Sequence, residues 1–214
     1  MDLEQYIALH IDSEPEVLRR IERDTNRRRI NGRMCSGHLQ GRLLKMLTKM
    51  IAPKKALELG TFTGYSAICI AEGLPSGGKL ITVEADDELE ELILGNFNQA
   101  GCADKIELIV GKALDVCKRF VDGDFDLIFI DADKREYPLY YEEAKRLLAP
   151  GGYMIADNIL WDGHVVSDSK HDSQTEGIRS FNQLAAADPD TETVILPIRD
   201  GISLIRKRNE GEKC

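Results

Sequence analysis

Residues 125–137 read FDLIFIDADKREY. The run Leu127-Ile128-Phe129-Ile130 is apolar on every residue, which suits a strand covered on both faces, whereas Asp131, Asp133 and Lys134 directly after it need water, partners or a ligand. Ligands of open α/β sheets sit at the carboxyl ends of the strands, so a buried strand that ends in charge marks that end as the place to look for function. The same pattern recurs on both sides of this stretch. KKALEL (54–59), KLITVE (79–84), KIELIV (105–110) and GYMIAD (152–157) are short runs rich in Ile, Leu and Val,. Amphipathic stretches near 64–73, 87–100, 112–120 and 135–148 separate them, and strand-helix alternation predicts a parallel sheet,.

The tail breaks the rhythm. TETVILPI (191–198) and GISLIRKR (201–208) are separated only by Arg199 and Asp200, too close for a helical crossover, so they pair as an antiparallel hairpin at the sheet edge,. The sequence therefore predicts one α/β domain over 1–214. A helical element at 1–52 precedes a core at 53–208, built on a doubly wound, mostly parallel, seven-stranded sheet that ends in the hairpin.

At 214 residues with 43% hydrophobic content the chain can bury one continuous core,. The opening segment carries early acids and no unbroken apolar run, and no later stretch is long enough to span a bilayer, so a cytoplasmic protein without membrane contact is expected. Cys35, Cys69, Cys102, Cys117 and Cys214 are scattered without a C-x-x-C pair, which argues against a disulfide framework or a zinc knuckle,. A formal charge of -9 disfavours nucleic acid as a partner,. The basic cluster from Arg19 to Arg29 reads as a solvated helix face rather than an anion site. The four histidines lack H-E-x-x-H spacing and no G-x-S-x-G elbow accompanies them, so a hydrolase gains no support,.

The strand ends carry the remaining signal. ELGTFTGYS (58–66) supplies Glu58, Gly60 and Gly64, and then Ser66 opening a helix. Glycines admit close approach of a ligand, and a helix N-terminus offers free N–H groups to an anion. The spacing is neither G-x-G-x-x-G nor a P-loop, which weakens a dinucleotide or triphosphate reading. Glu84 ends the second strand, where an acid can accept from ribose hydroxyls; the alternative is a surface acid in EADDELEE. Ala113 and Asp115 follow the third strand and fit either an adenine border or a plain helix start. Asp131 and the pair Asp157-Asn158 end the fourth and fifth strands. Two carboxylates and a carboxamide are hard oxygen donors, a set suited to Mg²⁺ first, with Mn²⁺ or Ca²⁺ also compatible; the alternative is that these acids cap the helices or turns that follow.

Four motifs together, LELGTFTGYS, FIDADKREY, ADNILW followed by GHVV, and LPIRDGISLIRK, span about Met34 to Arg206. Over that stretch the chain resembles the cation-dependent, S-adenosylmethionine-dependent O-methyltransferases of the caffeoyl-CoA and catechol type, and in particular their small bacterial members. The resemblance implies a Rossmann-like methyltransferase fold. It implies that Glu58, Gly60 and the turn Thr63-Gly64-Tyr65-Ser66 hold the methionine part of the cofactor, with Glu84 on the ribose and Ala113 beside the adenine. Asp131, Asp157 and Asn158 are then the metal ligands, Asp133 helps hold the cofactor, and Lys134 lies by the reacting hydroxyl as base or as electrostatic stabiliser. Met34, Ser36 and Gln40 match an N-terminal element of the family, and a homodimer through the N-terminal helices is implied. Met34, Lys134 and Trp161 are expected to face a catechol-like small molecule, with Tyr65 and Tyr137 as further aromatic candidates. Residues 162–174 read as a polar loop near the site. The rival readings are an NAD-dependent oxidoreductase, which lacks its glycine fingerprint, a non-catalytic S-adenosylmethionine-binding protein, and a methyltransferase acting on a different small molecule or on RNA.

Overall fold

The computed structural model describes residues 1–28 and 32–212. Its centre is a seven-stranded sheet of β1 (Lys55–Leu59), β2 (Lys79–Glu84), β3 (Ile106–Val110), β4 (Phe125–Ile130), β5 (Leu148–Asp157), β6 (Thr191–Leu196) and β7 (Ile202–Lys207). The spatial order is β3-β2-β1-β4-β5-β7-β6. The pairs β1-β2, β1-β4, β2-β3 and β4-β5 are parallel, while β7 runs antiparallel to both β5 and β6. The chain winds to one side through β2 and β3, then returns across β1 to lay down β4 and β5. The direction of winding therefore reverses between β1 and β4, and the crevice that binds ligands in such sheets opens there.

Alternation along the strands explains the continuous apolar runs. Leu127 and Phe129 enter the core layer shared with Leu18, Leu44, Ile68 and Phe97, whereas Ile128 and Ile130 enter the opposite layer with Tyr141, Leu147, Ile178 and Phe181. The first layer is roofed by α2 (Glu16–Arg28), α3 (Gly37–Ile51), α4 (Tyr65–Gly73) and α5 (Glu90–Gln99), the second by α6 (Ala113–Cys117), α7 (Tyr137–Leu147) and α8 (Ser173–Ala187). A short α1 (Leu3–His10) starts the chain with a reciprocal cap between Asp2 and Gln5. The basic cluster lies on α2 as far as Arg28, where Arg19 pairs with Glu14 and Glu16; Arg29 lies outside the described residues. Four buried cysteines are free thiols, and Cys214 lies outside the described residues. No described helix is long and apolar enough to cross a membrane.

Three elements differ from the sequence expectation. α8 was not anticipated, although Ile178, Phe181 and Ala185 recur on one face and Asp172 caps the helix through the backbone N–H groups of Gln174 and Thr175 at 3.1 and 3.0 Å,. The polar stretch before it hid that periodicity. β5 begins at Leu148 rather than 152, because its pairing with β4 continues past Pro150 through an irregularity at Phe125/Leu127,. α6 covers only 113–117, with Lys118 closing it.

Candidate active site

The carboxyl ends of β1 and β4 lie side by side. Leu59 is in register with Ile130, and the Asp131 N–H donates to the Leu59 carbonyl at 2.9 Å. Gly60 follows with φ 99°, and a Cβ there would sit 2.1 Å from the Asp131 carbonyl oxygen. Only glycine lets the two strand ends come this close.

Glu58 is fully buried at the end of β1. Its Oε2 accepts from the Thr82 hydroxyl at 2.5 Å, and Thr82 also meets Thr61 at 2.5 Å. Its Oε1 has no hydrogen-bond partner among the described residues. Burial drives this carboxyl up to about 8, against the opposing pull of the Ser66 and Thr82 hydroxyls,. An unmet buried acceptor costs about 1–3 kcal/mol, and a cationic donor would relieve both the charge and the empty valence. Glu84, at the end of β2, accepts from the Phe62 N–H at 2.6 Å and the Asp86 N–H at 2.9 Å. Each of its oxygens keeps a lone pair for another donor.

The turn into α4 is fixed from outside. The Thr63 hydroxyl accepts from Thr25 at 3.0 Å, its carbonyl accepts from the Asn96 amide at 2.9 Å, and Gly64 enters α4 with φ 86°. Ser66 is buried beneath this turn. Tyr65 corrects an expectation: its ring packs against Gly41 of α3 and its hydroxyl donates to Glu14 at 2.5 Å, so it forms no aromatic wall at the strand ends. Ala113 starts α6 half-buried, while Asp115 is exposed and paired with Lys118 at 3.0 Å.

The second half of the site is built on charge. Asp131 Oδ1 accepts from Lys134 Nζ at 2.7 Å, and the same ammonium donates to the Tyr137 hydroxyl at 2.7 Å. Tyr137 in turn donates to the backbone carbonyl of Asp157 at 2.9 Å, tying the end of β4 to the end of β5. Asp133 is exposed and caps the following turn through the Arg135 N–H at 3.1 Å. That turn is clamped by α8, because a Cβ on Gly177 would lie 2.2 Å from the Lys134 carbonyl oxygen.

Asp157 is buried. Its Oδ1 accepts from the Asn158 N–H at 2.8 Å and its Oδ2 from Gln40 Nε2 at 2.6 Å. Burial and then the nearby negative charge of Asp131 push its carboxyl up to about 6, while Gln40 and Lys134 pull the other way. The carboxylate of Asp131 therefore lies near enough to Asp157 for its charge to raise it, and Asn158 follows Asp157 directly in the chain,. Among the described residues no group of three or more His, Cys, Asp and Glu forms a metal cluster, and this set contains only two residues of those types.

The family of proteins with this arrangement can be named from the whole chain. The O-methyltransferase family model matches residues 8–208. This chain belongs to the O-methyltransferase family. A catechol O-methyltransferase of Niastella koreensis is 38% identical over 160 residues, 73% of this chain and 72% of the relative. Caffeoyl-CoA O-methyltransferase 1 of Eucalyptus globulus is 37% identical over 204 residues, 91% of this chain and 82% of the relative. Among solved structures, the O-methyltransferase of Bacillus cereus in complex with SAH superposes with a TM-score of 0.88 at 30% identity, covering 96% of this chain and 97% of that one. TomG of Streptomyces achromogenes, solved with SAM, gives 0.88 at 27% identity over 98% of this chain and 100% of its own.

In this O-methyltransferase the remaining expected residues lie on irregular backbone. Asn158, Trp161 and Asp162 have φ of 57°, 49° and 50°, sparsely populated values for residues with side chains,. Trp161 is half-buried against the α8-side core, and Asp200 anchors its neighbour by accepting from the Asp162 N–H at 2.5 Å. Met34 is 55% exposed at the end of the short turn Gly32–Met34. The Tyr137 ring is core, edge-on to Tyr140 and Phe181, yet its hydroxyl serves the site.

Two polar side chains at the site went unassigned in the sequence reading. Gln40 matched the N-terminal element without a role, although a buried amide in the stripe Gln40, Leu44, Thr48 of α3 is a legible signal. Arg199 gave none, because only folding brings the turn between β6 and β7 against residues 35–40.

Proposed function

We propose that this O-methyltransferase moves the methyl group of S-adenosylmethionine to one hydroxyl of a catechol-like vicinal diol, with a divalent cation, Mg²⁺ foremost, held by Asp131, Asp157 and Asn158. The observation that carries this reading is the pair of strand-end acids, the Asp131 carboxylate being linked through Lys134 and Tyr137 to the backbone carbonyl of Asp157. SAH and SAM in the two structural relatives support the choice of donor. The catechol and caffeoyl-CoA relatives support the choice of acceptor.

When bound, the cation lowers the pKa of a hydroxyl that otherwise titrates near ~10, and the sulfonium supplies an electrophilic methyl carbon. The chain's own groups do the rest. Glu58 answers the donor's ammonium with its unmet Oε1, the Gly60–Ser66 turn holds the methionine end, Asp133 helps hold the cofactor, Glu84 takes the ribose hydroxyls, and Ala113 borders the adenine. Lys134 uses two of its three N–H groups on Asp131 and Tyr137, leaving the third for the reacting oxygen or, when deprotonated, a site at Nζ for its proton,. Trp161 and Met34 flank the ring. Alignment of oxygen, carbon and sulfur is the protein's main contribution, worth several kcal/mol of barrier.

The exposed apolar side chains Leu3, Leu9, Met46 and Met50 on α1 and α3 support a homodimer through the N-terminal helices. A methyl-transfer assay on caffeoyl-CoA, caffeate, simple catechols and flavonoid diols tests the proposal. Turnover of a vicinal diol with Mg²⁺ or Mn²⁺, lost in EDTA, is expected. Full activity in EDTA would overturn the cation, and transfer only to RNA or to an acceptor without the diol would overturn the substrate class.

A further inference from the structure

Three distant parts of the chain meet on Asp157. Gln40, on α3 and 1% exposed, donates from Nε2 to Asp157 Oδ2 at 2.6 Å. Its other amide atom, Oε1, accepts from Arg199 Nη1 at 3.2 Å. Arg199 belongs to the turn between β6 and β7, where its backbone is left-handed at φ 52°, and the same Nη1 donates to the carbonyls of Cys35 at 3.2 Å and of Ser36.

A glutamine amide has a donor end and an acceptor end of nearly equal shape, so its neighbours decide which way it faces. Arginine has donors only and does not lose its proton. Placed beside one end of Gln40, its guanidinium selects the rotamer with oxygen toward Arg199. The NH₂ is then forced toward Asp157. The reverse rotamer would set an amide oxygen against a carboxylate and an N–H against a cation, which is unfavourable on both sides.

We infer that Arg199 and Gln40 are positioning residues for Asp157: Arg199 fixes the Gln40 amide, and Gln40 holds the carboxylate in the orientation in which it presents Oδ1 and Oδ2 at the end of β5. The Cys35 and Ser36 carbonyls share the same guanidinium, so the segment after Met34 is secured by the interaction that aims the ligand. Neither residue touches the reacting atoms. Their contribution passes through Asp157, and in its consequence for cation binding the inference rests on the proposed function above.

The test uses the purified full chain with Mn²⁺ as probe, its binding followed by electron paramagnetic resonance in the wild type, Gln40→Met, Arg199→Met and Arg199→Lys. Residues behind metal ligands change affinity by about 10–100-fold, so Gln40→Met and Arg199→Met are expected to weaken Mn²⁺ at least about tenfold. Arg199→Lys, which restores a donor beside Oε1, recovers most of that loss. Wild-type binding with unchanged affinity in both methionine variants would overturn the inference and leave the proposed function standing. No binding by the wild type would overturn the cation reading and, with it, the consequence for affinity. A second measurement needs no metal: in ¹⁵N-glutamine-labelled protein the Gln40 side-chain amide should shift and exchange faster with water in Arg199→Met, and recover in Arg199→Lys. An unmoved resonance would remove the link between the two residues whatever the metal does.

Discussion

The two halves of the site are made in different ways. The crevice at the ends of β1 and β2 is assembled from residues 58–66 and 82–86 through hydroxyls, backbone N–H groups and one fully buried acid. The cradle at the ends of β4 and β5 is assembled from opposed charges, and its supports come from α3, α8 and the turn between β6 and β7. The first half takes its ligand-facing groups from two short stretches, with Thr25 and Asn96 bracing the turn from α2 and α5, and the second draws its supports from across the fold. Damage to one should therefore leave the other measurably intact.

The most severe way to separate them is Asp157→Ala. Removing this carboxylate should eliminate cation binding and reduce turnover on a vicinal diol by more than about 10³-fold, while calorimetry still detects S-adenosylmethionine; removing one partner of a buried charge set costs about 3–5 kcal/mol. Simultaneous loss of both ligands would show that the halves are not independent. Lys134→Met comes next, with kcat falling about 10²–10⁴-fold, the range for a positioned proton-transfer group, and a flattened pH profile. An unaltered profile would leave Lys134 a purely electrostatic role.

Glu58→Gln probes the first half. Its folded-state pKa of about 8 lies above the ordinary 4.5, so between those values the unfolded chain has released a proton that the native state retains. The native state then binds more protons than the unfolded state, and stability falls as pH rises from about 4.5 to 8. Glutamine abolishes this loss, so the variant should be more stable than wild type by a few kcal/mol near pH 8, read by denaturant titration. It should also bind S-adenosylmethionine at least about tenfold more weakly, because a charge-assisted bond is lost. Wild-type affinity should rise with pH toward about 8 as the carboxylate forms.

The smallest effect is expected at Arg179 of α8. It donates to the carbonyls of His164, Val165, Ser167 and Lys170 at 2.9, 3.0, 2.6 and 2.8 Å, holding a loop with little regular structure of its own. Arg179→Met should raise the acceptor KM several-fold with kcat changed less, since these bonds are worth about 1 kcal/mol each and none is made in the transition state alone. An equal fall in kcat would place this loop in the chemistry.

The same contrast explains what the sequence disclosed. The strand ends were legible because each joins an apolar run to a charged or glycine-rich turn within a few residues, and the hairpin was legible because its strands are too close in sequence for a crossover. Gln40, Arg199 and the Tyr137 hydroxyl were not, because their partners lie 117, 159 and 20 positions away and nothing local in the chain encodes those meetings. α8 was missed for a different reason, since its apolar spacing is present but dilute among polar residues. Tyr65 was misjudged because a helix-opening aromatic can turn toward either layer, and the absence of a side chain at Gly41 decided which.

Gly60 sets a limit on how such an enzyme can diversify. With the Asp131 carbonyl pressed against its α-carbon, a single peptide unit separates the end of β1 from the end of β4. No residue larger than glycine fits there without moving both strand ends at once. On the proposed function, change of acceptor preference is then expected at the rim, in residues 162–174 and the segment after Met34, while the two strand ends stay as they are.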